Sequence, residues 1–419
     1  MMHATTVRSA AEVVLGRQRS PQHDSGPHMV PYLRAANVKD GVLELGDVKE
    51  MNFTPTEREV FSLRAGDVLV TEGSGSLKAV GASAVWRAEL GGVVCFQNTL
   101  LRMRPREGVT DGRFLEWWAR SAFGSGIFAS IATGANIYHI SAERVRALPM
   151  ELPALEEQRR IADFLDAETA RIDEVSRLRS RQKDLLFSRR WSFFQGMLDA
   201  TAAPVIPLRR VIRSIIDGPF GSAFSSSDYV GEGAAVVRLG NIGFGEYRTS
   251  GQARIPVNLY ERFKYHEVRR GDLLVAGLGD ARNHAGRACV APDLGLAIVK
   301  GKCFRARLES EFADAEFIAL LLSSPVGASA IEGRGSTRSM INLEIVKSAL
   351  LPIPALEKQR HVAKLFQQSW QSTRAAIRAC DRQLQLFTER RQALITAAVT
   401  GQFDVSTASG RNVTDGVTV

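Results

Sequence analysis

Several signatures of common protein classes are missing from this 419-residue sequence. Its four cysteines, Cys95, Cys289, Cys303 and Cys380, form no Cys-x-x-Cys pair and have no histidine at metal-ligand spacing. They are predicted to be buried, reduced thiols rather than disulfides or a metal site. The sequence has no run of about 18 consecutive apolar residues, and its polar N-terminus lacks the core of a signal peptide. We therefore expect a cytoplasmic protein without a membrane span.

Signatures of enzymatic chemistry are also missing. The segment 72–76 is rich in glycine, but Lys78 stands where a dinucleotide fingerprint needs its third glycine, and the segment 277–279 fails in the same way at Arg282. No Gly-x4-Gly-Lys-Ser/Thr loop is present to hold a triphosphate. Residues 217–220 (Asp-Gly-Pro-Phe) resemble the tetrapeptide with which amino-methyltransferases hold a flipped base. Because the second residue is Gly218 and no cofactor-binding glycine motif precedes it, we interpret the segment as a turn. We expect no catalytic residue, metal or cofactor in this chain.

Net charge is the first positive feature. The chain has 54 Lys and Arg against 45 Asp and Glu, a formal charge of +9, and a pI near 9.6. This excess favours a polyanionic partner, either nucleic acid or an anionic membrane surface, although a basic surface without such a partner remains an alternative.

The second positive feature is a long internal repeat. Residues 152–159 read Leu-Pro-Ala-Leu-Glu-Glu-Gln-Arg, and residues 353–360 read Ile-Pro-Ala-Leu-Glu-Lys-Gln-Arg. Four further pairs of segments match in the same order: 30–38 with 234–242, 63–70 with 268–275, 114–118 with 317–321, and 134–141 with 335–342. A repeat of this length exceeds a solenoid unit and indicates two copies of a whole domain followed by a helix.

The pattern predicts an α+β protein with two homologous mixed α/β domains, rich in strands and Gly-rich loops, and two long helices. The predicted parts are a first domain at 1–151, a central helix at 152–199, a linker with the second domain at 200–352, a C-terminal helix at 353–405 and a disordered tail at 406–419. Each helix has an apolar heptad seam, which must pack on another helix. The equivalent positions of the two helices in the repeats and the long globular insertion between them favour an antiparallel coiled coil with a pseudo-two-fold axis, and a coiled coil between two molecules is the alternative. The predicted packing residues are Ile161, Phe164, Leu165, Ile172, Val175, Leu178 and Leu185 in the first helix, and Phe366, Trp370, Ile377, Leu384, Phe387 and Leu394 in the second.

The candidate binding residues are basic, amide, hydroxyl and other polar side chains that recur on Gly-rich loops of the two domains. Arginine and lysine neutralise phosphates or pair with guanine, and asparagine pairs with adenine. Singly each is an ordinary surface residue, and only the recurrence at matching loop positions favours DNA contact. The candidates are Arg34, Asn37, Ser74, Ser76, Lys78, Asn98, Asn136, Tyr138 and His139 in the first domain, and Arg238, Asn241, Asp280, Arg282, Asn283, Lys302, Arg334, Ser336, Thr337 and Arg338 in the second.

These motifs together resemble one family. The duplicated phrase at 152–159 and 353–360, the opening Ile-Ile-Asp-Gly-Pro-Phe-Gly-Ser at 215–222 and the closing Glu-Arg-Arg-Gln-Ala-Leu-Ile-Thr-Ala-Ala-Val-Thr-Gly at 389–401 are similar to type I restriction-modification specificity subunits. The resemblance covers nearly the whole chain. One departure is the end of the first helix, where 190–194 read Arg-Trp-Ser-Phe-Phe in place of the usual Arg-Gln-Ala-Leu run.

The resemblance implies a non-catalytic subunit in which each domain reads one half of a split, asymmetric site on double-stranded DNA. The helices would space the domains and dock two methyltransferase subunits that carry S-adenosylmethionine, and restriction subunits that use ATP and Mg would join for cleavage. A helix of about 40 residues is roughly 60 Å long, enough to span half-sites roughly 35 Å apart. Two alternatives stay open: the specificity component of a fused system with a single partner, and a coiled-coil scaffold without a DNA role.

Overall fold

The computed structural model describes residues 3–219, 223, 225–280, 282–332 and 340–405. The chain divides into two compact units, the first formed by residues 1–180 with 381–419 and the second by residues 181–380. Both boundaries fall inside the long helices, so each unit contains a globule and one half of each helix. Among the described residues, no helix combines the length and apolar character that a bilayer crossing needs.

The first unit is a mixed α/β globule. A four-stranded antiparallel sheet of order β2-β11-β7-β9 packs against helix α3, and the unit also contains a three-stranded sheet of order β10-β3-β6, whose strands alternate in sequence with those of the first sheet. Its strands are β1 (His3–Thr6), β2 (Ala11–Leu15), β3 (Met29–Leu33), β4 (Val38–Lys39), β5 (Val42–Leu43), β6 (Lys49–Asn52), β7 (Val68–Thr71), β8 (Gly73–Ser74), β9 (Ser83–Val85), β10 (Cys95–Phe96), β11 (Leu100–Pro105), β12 (Tyr138–His139) and β13 (Pro149–Leu152). Its helices are α1 (Val7–Ala10), α2 (Pro55–Phe61), α3 (Gly112–Gly124), α4 (Ile127–Ser130), α5 (Ala142–Ala147) and the first part of α6 (Leu155–Asp199).

The second unit repeats this plan. Its four-stranded sheet has the order β15-β21-β18-β19, its three-stranded sheet the order β17-β16-β20, and β14 pairs with β22 as β1 pairs with β13. The parallel pair recurs too, β16 with β20 and β3 with β10. The strands are β14 (Val205–Pro207), β15 (Ile212–Asp217), β16 (Ala234–Val237), β17 (Ala253–Ile255), β18 (Leu273–Ala276), β19 (Ala288–Val290), β20 (Ala297–Val299), β21 (Cys303–Leu308) and β22 (Leu350–Pro352). The helices are α7 (Val257–Arg262), α8 (Ala315–Ser323), α9 (Pro325–Glu332), α10 (Leu343–Ser348) and α11 (Leu356–Val399). The predicted duplicated α+β architecture is confirmed.

The helices α6 and α11 run antiparallel within each unit. In the first unit, Arg391 pairs with Asp173 at 3.3 Å, and the rings of Phe164 and Phe403 lie 5.5 Å apart. In the second, the indole of Trp191 stacks on Phe366 with ring centroids 5.8 Å apart. Residue numbers thus rise in α6 as they fall in α11, and these contacts form within one chain.

The packing positions predicted for α6 are partly wrong. Four of the predicted packing residues on the two helices are buried: Ile161, Leu165, Phe366 and Leu394. Six more are half-buried: Phe164, Ile172, Trp370, Ile377, Leu384 and Phe387. The exceptions are Val175, Leu178 and Leu185, which are 40%, 49% and 61% exposed.

The repeat explains the correction. Adding 201 to a residue number in α6 gives its counterpart in α11, as the two matching phrases show by starting at 152 and 353. The counterparts of Ile377, Cys380 and Leu384 are then Ser176, Arg179 and Lys183, all less exposed than their apolar neighbours. The middle of the α6 seam is polar, so the apolar pattern indicated positions one or two residues away from it: Val175 and Leu178 lie one residue from Ser176 and Arg179, and Leu185 lies two residues from Lys183.

The four cysteines are free and buried, as predicted. Burial raises the pKa of the Cys95, Cys289 and Cys303 thiols to about 12. These thiols are therefore protonated and unreactive at neutral pH.

Candidate nucleic-acid interface

One pair of loops follows the central strands β3 and β16. Each strand is followed directly by an arginine, Arg34 or Arg238, and then by a short 3-10 turn at Ala35–Asn37 or Leu239–Asn241. Asn37 Oδ1 accepts the Arg34 N–H at 3.1 Å, and Asn241 Oδ1 accepts the Arg238 N–H at 2.9 Å. The two turns are therefore built by the same side-chain hydrogen bond.

This placement changes the interpretation of the two asparagines. Asn37 is 2% exposed and Asn241 is 1% exposed. Their amide nitrogens donate to backbone carbonyls of the same loops, Asn37 to Glu44 at 2.8 Å and Asn241 to Arg248 at 2.9 Å. With both ends of the amide already bonded, neither side chain is available to an adenine edge. We assign Asn37 and Asn241 to loop architecture, and correct their prediction as base-contacting residues.

The two arginines differ in charge environment. Arg34 donates to the carboxylate of Asp47 at 2.5 Å, so its charge is balanced within the loop. Arg238 instead donates to the Gly251 carbonyl and lies over the Tyr229 ring, 5.7 Å from its centroid. A carbonyl carries no net charge, and among the described residues no carboxylate forms an ion pair with Arg238, so its charge is not balanced within the described part of the loop.

A small basic cleft surrounds Arg238. It has a volume of about 380 Å³ and is lined by Arg238, Asn241, Ser250 and Lys300 with their neighbouring glycines. Lys300 Nζ donates to the Tyr229 hydroxyl at 2.9 Å and lies 5.2 Å from the centre of that ring. Two cations and a serine hydroxyl in one cleft suit a phosphate oxygen. We call this the Arg238–Lys300 cleft.

The first unit has different side chains in the same place. The Gln97 N–H donates to Leu33 at 2.9 Å, as the Lys300 N–H donates to Val237 at 2.9 Å. Gln97 therefore stands where Lys300 stands, and half-buried Asn98, whose N–H donates to Arg17 at 2.9 Å, follows it. The first unit presents amides where the second presents a cation.

Close backbone approach makes this position possible. A Cβ at Gly16 would lie 2.2 Å from the Gln97 oxygen, and one at Gly218 would lie 2.3 Å from the Lys300 carbonyl carbon. Contacts this short are excluded for any other residue. Gly218, which the sequence places in a turn, is thus required for approach to the Lys300 loop.

A second group of candidates meets in the first unit. Strand β8 pairs with β12 so that Ser74 lies opposite Tyr138, and His139 Nδ1 lies 3.1 Å from Glu72 Oε2. Ser74 Oγ accepts the Ser76 N–H at 3.2 Å. The remaining candidates on these two hairpin segments are exposed: Ser76, Lys78 and Asn136.

The second unit carries a tight loop at 280–283. Asp280 Oδ1 accepts the N–H groups of Arg282 at 2.8 Å and Asn283 at 2.9 Å, and the Asn283 amide donates to it at 3.0 Å. These hydrogen bonds, the one from the Arg282 backbone first, lower the pKa of Asp280. Asp280 and Asn283 are thus joined by hydrogen bonds, and Arg282 is exposed.

The remaining candidates are placed as follows. Lys302 adopts a positive φ of 70° and its N–H donates to Asp217 Oδ1 at 3.0 Å, which fixes the turn before β21. Arg334, Ser336, Thr337 and Arg338 lie outside the described residues. Sequence reasoning missed Lys300, Tyr229 and Gln97. The available signal was position, because Lys300 directly follows buried β20 as Arg238 directly follows buried β16.

Comparison with known proteins finds relatives of this chain. The chain is 23% identical over 362 residues to the type I restriction enzyme StySPI specificity subunit of Salmonella potsdam, covering 81% of this chain and 75% of that protein. It is 22% identical over 355 residues to the EcoKI specificity subunit of Escherichia coli K12, with the same coverage. Its homologues are type I restriction specificity subunits.

Fold comparison finds the same architecture in a solved structure. A chain from a solved structure titled "Structural basis underlying complex assembly and conformational transition of the type I R-M system" superposes with a TM-score of 0.64 at 20% identity. The match covers 96% of this chain and 98% of that one. No protein-family model matches the chain.

Proposed function

We propose that this chain is the DNA-recognition subunit of a type I restriction-modification complex. Each unit reads one half of a bipartite, asymmetric site, and the chain performs no chemistry itself. The observation that carries the proposal is the pair of equivalent loop positions with different side chains. Gln97 and Asn98 in one unit stand where Lys300 and Gly301 stand in the other, on the same strand frame. A fixed frame with variable groups is what two readers of different sequences require.

The loop residues have two different roles: some hold the loops in shape, and others are proposed to contact DNA. Asn37, Asn241 and Asp280 frame their loops through internal hydrogen bonds. In the proposal, Arg238 and Lys300 bind phosphate, and the exposed tips that include Ser76 and Arg282 approach base edges. Phosphate contacts supply most of the affinity, and base-edge contacts supply the discrimination.

The helices are proposed to dock two methyltransferase subunits. Val175 and Leu178 lie one turn apart on α6 and are 40% and 49% exposed, and Leu386 on α11 is 54% exposed. Apolar side chains at this exposure on helices are suited to a protein partner. The methyltransferase would bind S-adenosylmethionine and flip the adenine, and restriction subunits using ATP and Mg would join that assembly.

The test is reconstitution of the chain with its cognate methyltransferase, followed by duplex binding at several salt concentrations. We expect tight, salt-sensitive binding that prefers one bipartite duplex over scrambled duplexes of equal length. A complex that binds no duplex at low salt would favour the coiled-coil scaffold. A partner that both cuts and methylates as one polypeptide would favour the fused system.

A further inference from the structure

A cavity in the second unit contains a buried arginine. The cavity has a volume of about 590 Å³ and is lined by Arg190 of α6, by Phe366, Trp370 and Arg374 of α11, and by Glu246. Its rim includes the exposed side chain of Gln371, so the cavity opens to solvent along α11. We call it the Arg190 cavity.

Aromatic rings surround the Arg190 guanidinium. Its central carbon lies 3.9 Å from the ring centre of Trp370, 4.5 Å from that of Trp191 and 4.9 Å from that of Phe366. The side chain is 7% exposed. Nη2 donates to the Phe244 carbonyl at 2.6 Å, and Nε has no hydrogen-bond partner. A buried cation with an unpaired N–H is costly unless an anion reaches it.

The internal repeat shows what Arg190 lacks. Its counterpart, 201 residues later, is Arg391, which pairs with Asp173 at 3.3 Å in the first unit. The counterpart of Asp173 in the second unit is Arg374, so a second cation stands where the first unit has the balancing acid. Burial, and after it the nearby Arg374, lower the pKa of Arg190 to about 9.

The acids around the cavity do not replace Asp173. Glu246 forms an ion pair with Arg374. Glu316 lines the cavity from α8, and burial raises the pKa of its carboxyl group; Asp293 also lines the cavity. In the described part of the chain, neither Glu316 nor Asp293 forms a hydrogen bond with Arg190 or shifts its pKa.

We propose that the Arg190 cavity receives an acidic side chain of the methyltransferase that docks on the second unit. This rests on the proposed docking role of the helices. The carboxylate takes the position relative to Arg190 that Asp173 takes relative to Arg391, whose Nε lies 3.3 Å from Asp173 Oδ1 in an ion pair. There it faces the unpartnered Nε of Arg190, and an ionised carboxylate forms a strong, charge-assisted hydrogen bond with a guanidinium. The cavity is much larger than a free carboxylate and has room for a whole side chain with its neighbours, which favours a protein source over a small anion.

The experiment compares variants of the full chain for methyltransferase binding by calorimetry and for thermal unfolding. Arg190→Met keeps the packing and removes the charge, and it is expected to weaken one of the two binding steps at least about tenfold. Arg391→Met is the matched control, and both binding steps are expected to keep their affinity because Arg391 already has Asp173. Equal affinity of Arg190→Met and the wild type would overturn the proposal.

A second variant separates recognition from stability. Arg374→Asp combined with Glu246→Gln builds the first unit's ion pair into the second, so the free chain should unfold at a higher temperature while methyltransferase affinity falls. A purely structural role for Arg190 would raise both or leave affinity unchanged, and either result would contradict the proposal. The control is Arg374→Gln with Glu246→Gln.

Two further outcomes are distinguishable. If the wild-type chain binds no methyltransferase, the proposed function itself fails. Glutarate serves as the small-anion probe, followed by tryptophan fluorescence of the free chain. If glutarate binds the wild type but not Arg190→Met, and Arg190→Met still binds methyltransferase normally, the cavity is a small-anion site and the proposal is wrong.

Discussion

Gln158 and Gln359 hold the starts of the two long helices with the same three hydrogen bonds. Gln158 accepts the Asp111 N–H at 2.8 Å and donates to the carbonyls of Val109 and Pro153. Gln359 accepts the Asp314 N–H at 2.9 Å and donates in the same way to Phe312 and Pro354. Both glutamines are fully buried. The repeated phrase therefore marks a joint that fixes each helix to the globule before it.

Replacing either glutamine should destabilise its unit. Gln158→Ala or Gln359→Ala leaves one N–H and two carbonyls without partners, at an expected cost of about 3 kcal/mol in the free energy of unfolding. Urea unfolding measures this cost. Gln385→Ala, at an exposed position of α11, is the control and should change the unfolding free energy by less than about 0.5 kcal/mol. Similar effects at Gln359 and Gln385 would show that the joint does not have this role.

The corrected helix seam predicts different costs for two leucines of α6. Leu165 is fully buried and Leu178 is 49% exposed. Leu165→Ala should lower the unfolding free energy by about 2–5 kcal/mol. Leu178→Ala should change it by less than about 0.5 kcal/mol. Circular dichroism during thermal unfolding compares them, and a large loss at Leu178 would restore the seam expected from the apolar pattern.

Burial of the thiols predicts that the free energy of unfolding depends on pH in the alkaline range. The folded thiols of Cys95, Cys289 and Cys303 have their pKa raised to about 12, above the ordinary value of about 8.5. Their contribution to stability is complete below the unfolded pKa and is lost as pH rises through the range from about 9 to 12. Native protein at pH 8 should resist a thiol reagent that modifies it fully in guanidinium. Rapid modification of any of the three in native protein would contradict their burial.

Lys300 should contribute to DNA affinity through phosphate. Lys300→Gln is expected to reduce the slope of log affinity against log salt by about 1, with similar effects on different sequences. Lys264→Gln is the control, because Lys264 is exposed and pairs with Glu261 at 3.1 Å. A slope unchanged by Lys300→Gln would remove the Arg238–Lys300 cleft from the proposed interface.

If the helices set the spacing of the half-sites, lengthening them should change the length of the DNA spacer that the complex recognises. One heptad added after Arg179 of α6 and one after Cys380 of α11 lengthen both helices by about 10 Å, roughly three base pairs of DNA. We expect the recognised spacer to grow by about that amount or activity to disappear. Methylated-DNA sequencing measures the spacer, and an active variant with the original spacer would refute the role of the helices as a ruler.

The duplicated plan could be predicted from the sequence because it repeats whole phrases. The prolines at 153 and 354 and the glutamines at 158 and 359 mark the same joint twice, and the strand exits at Arg34 and Arg238 mark the same loop twice. Patterns shared by two copies exclude most accidental matches.

The details that failed depend on three-dimensional placement. Asn37 and Asn241 have the residue type of a base reader, but their hydrogen bonds close within the loop. The α6 seam passes through Ser176, Arg179 and Lys183, so hydrophobicity alone could not locate it. Lys300 reaches Tyr229, 71 residues away in sequence, only after β20 pairs with β16. An alignment of the two copies would have corrected the predicted seam positions of α6. The Arg238–Lys300 cleft could not be predicted in this way, because its residues come together only in the folded structure.

The most direct test of the central claim is a methylation map of DNA modified by this chain together with its cognate methyltransferase. The wild type should produce one bipartite, asymmetric motif with a fixed spacer, and Arg282→Ala, at the loop tip of the second unit, should alter only one half of it. A single undivided motif, or a change in both halves caused by Arg282→Ala, would contradict the account of two independent readers.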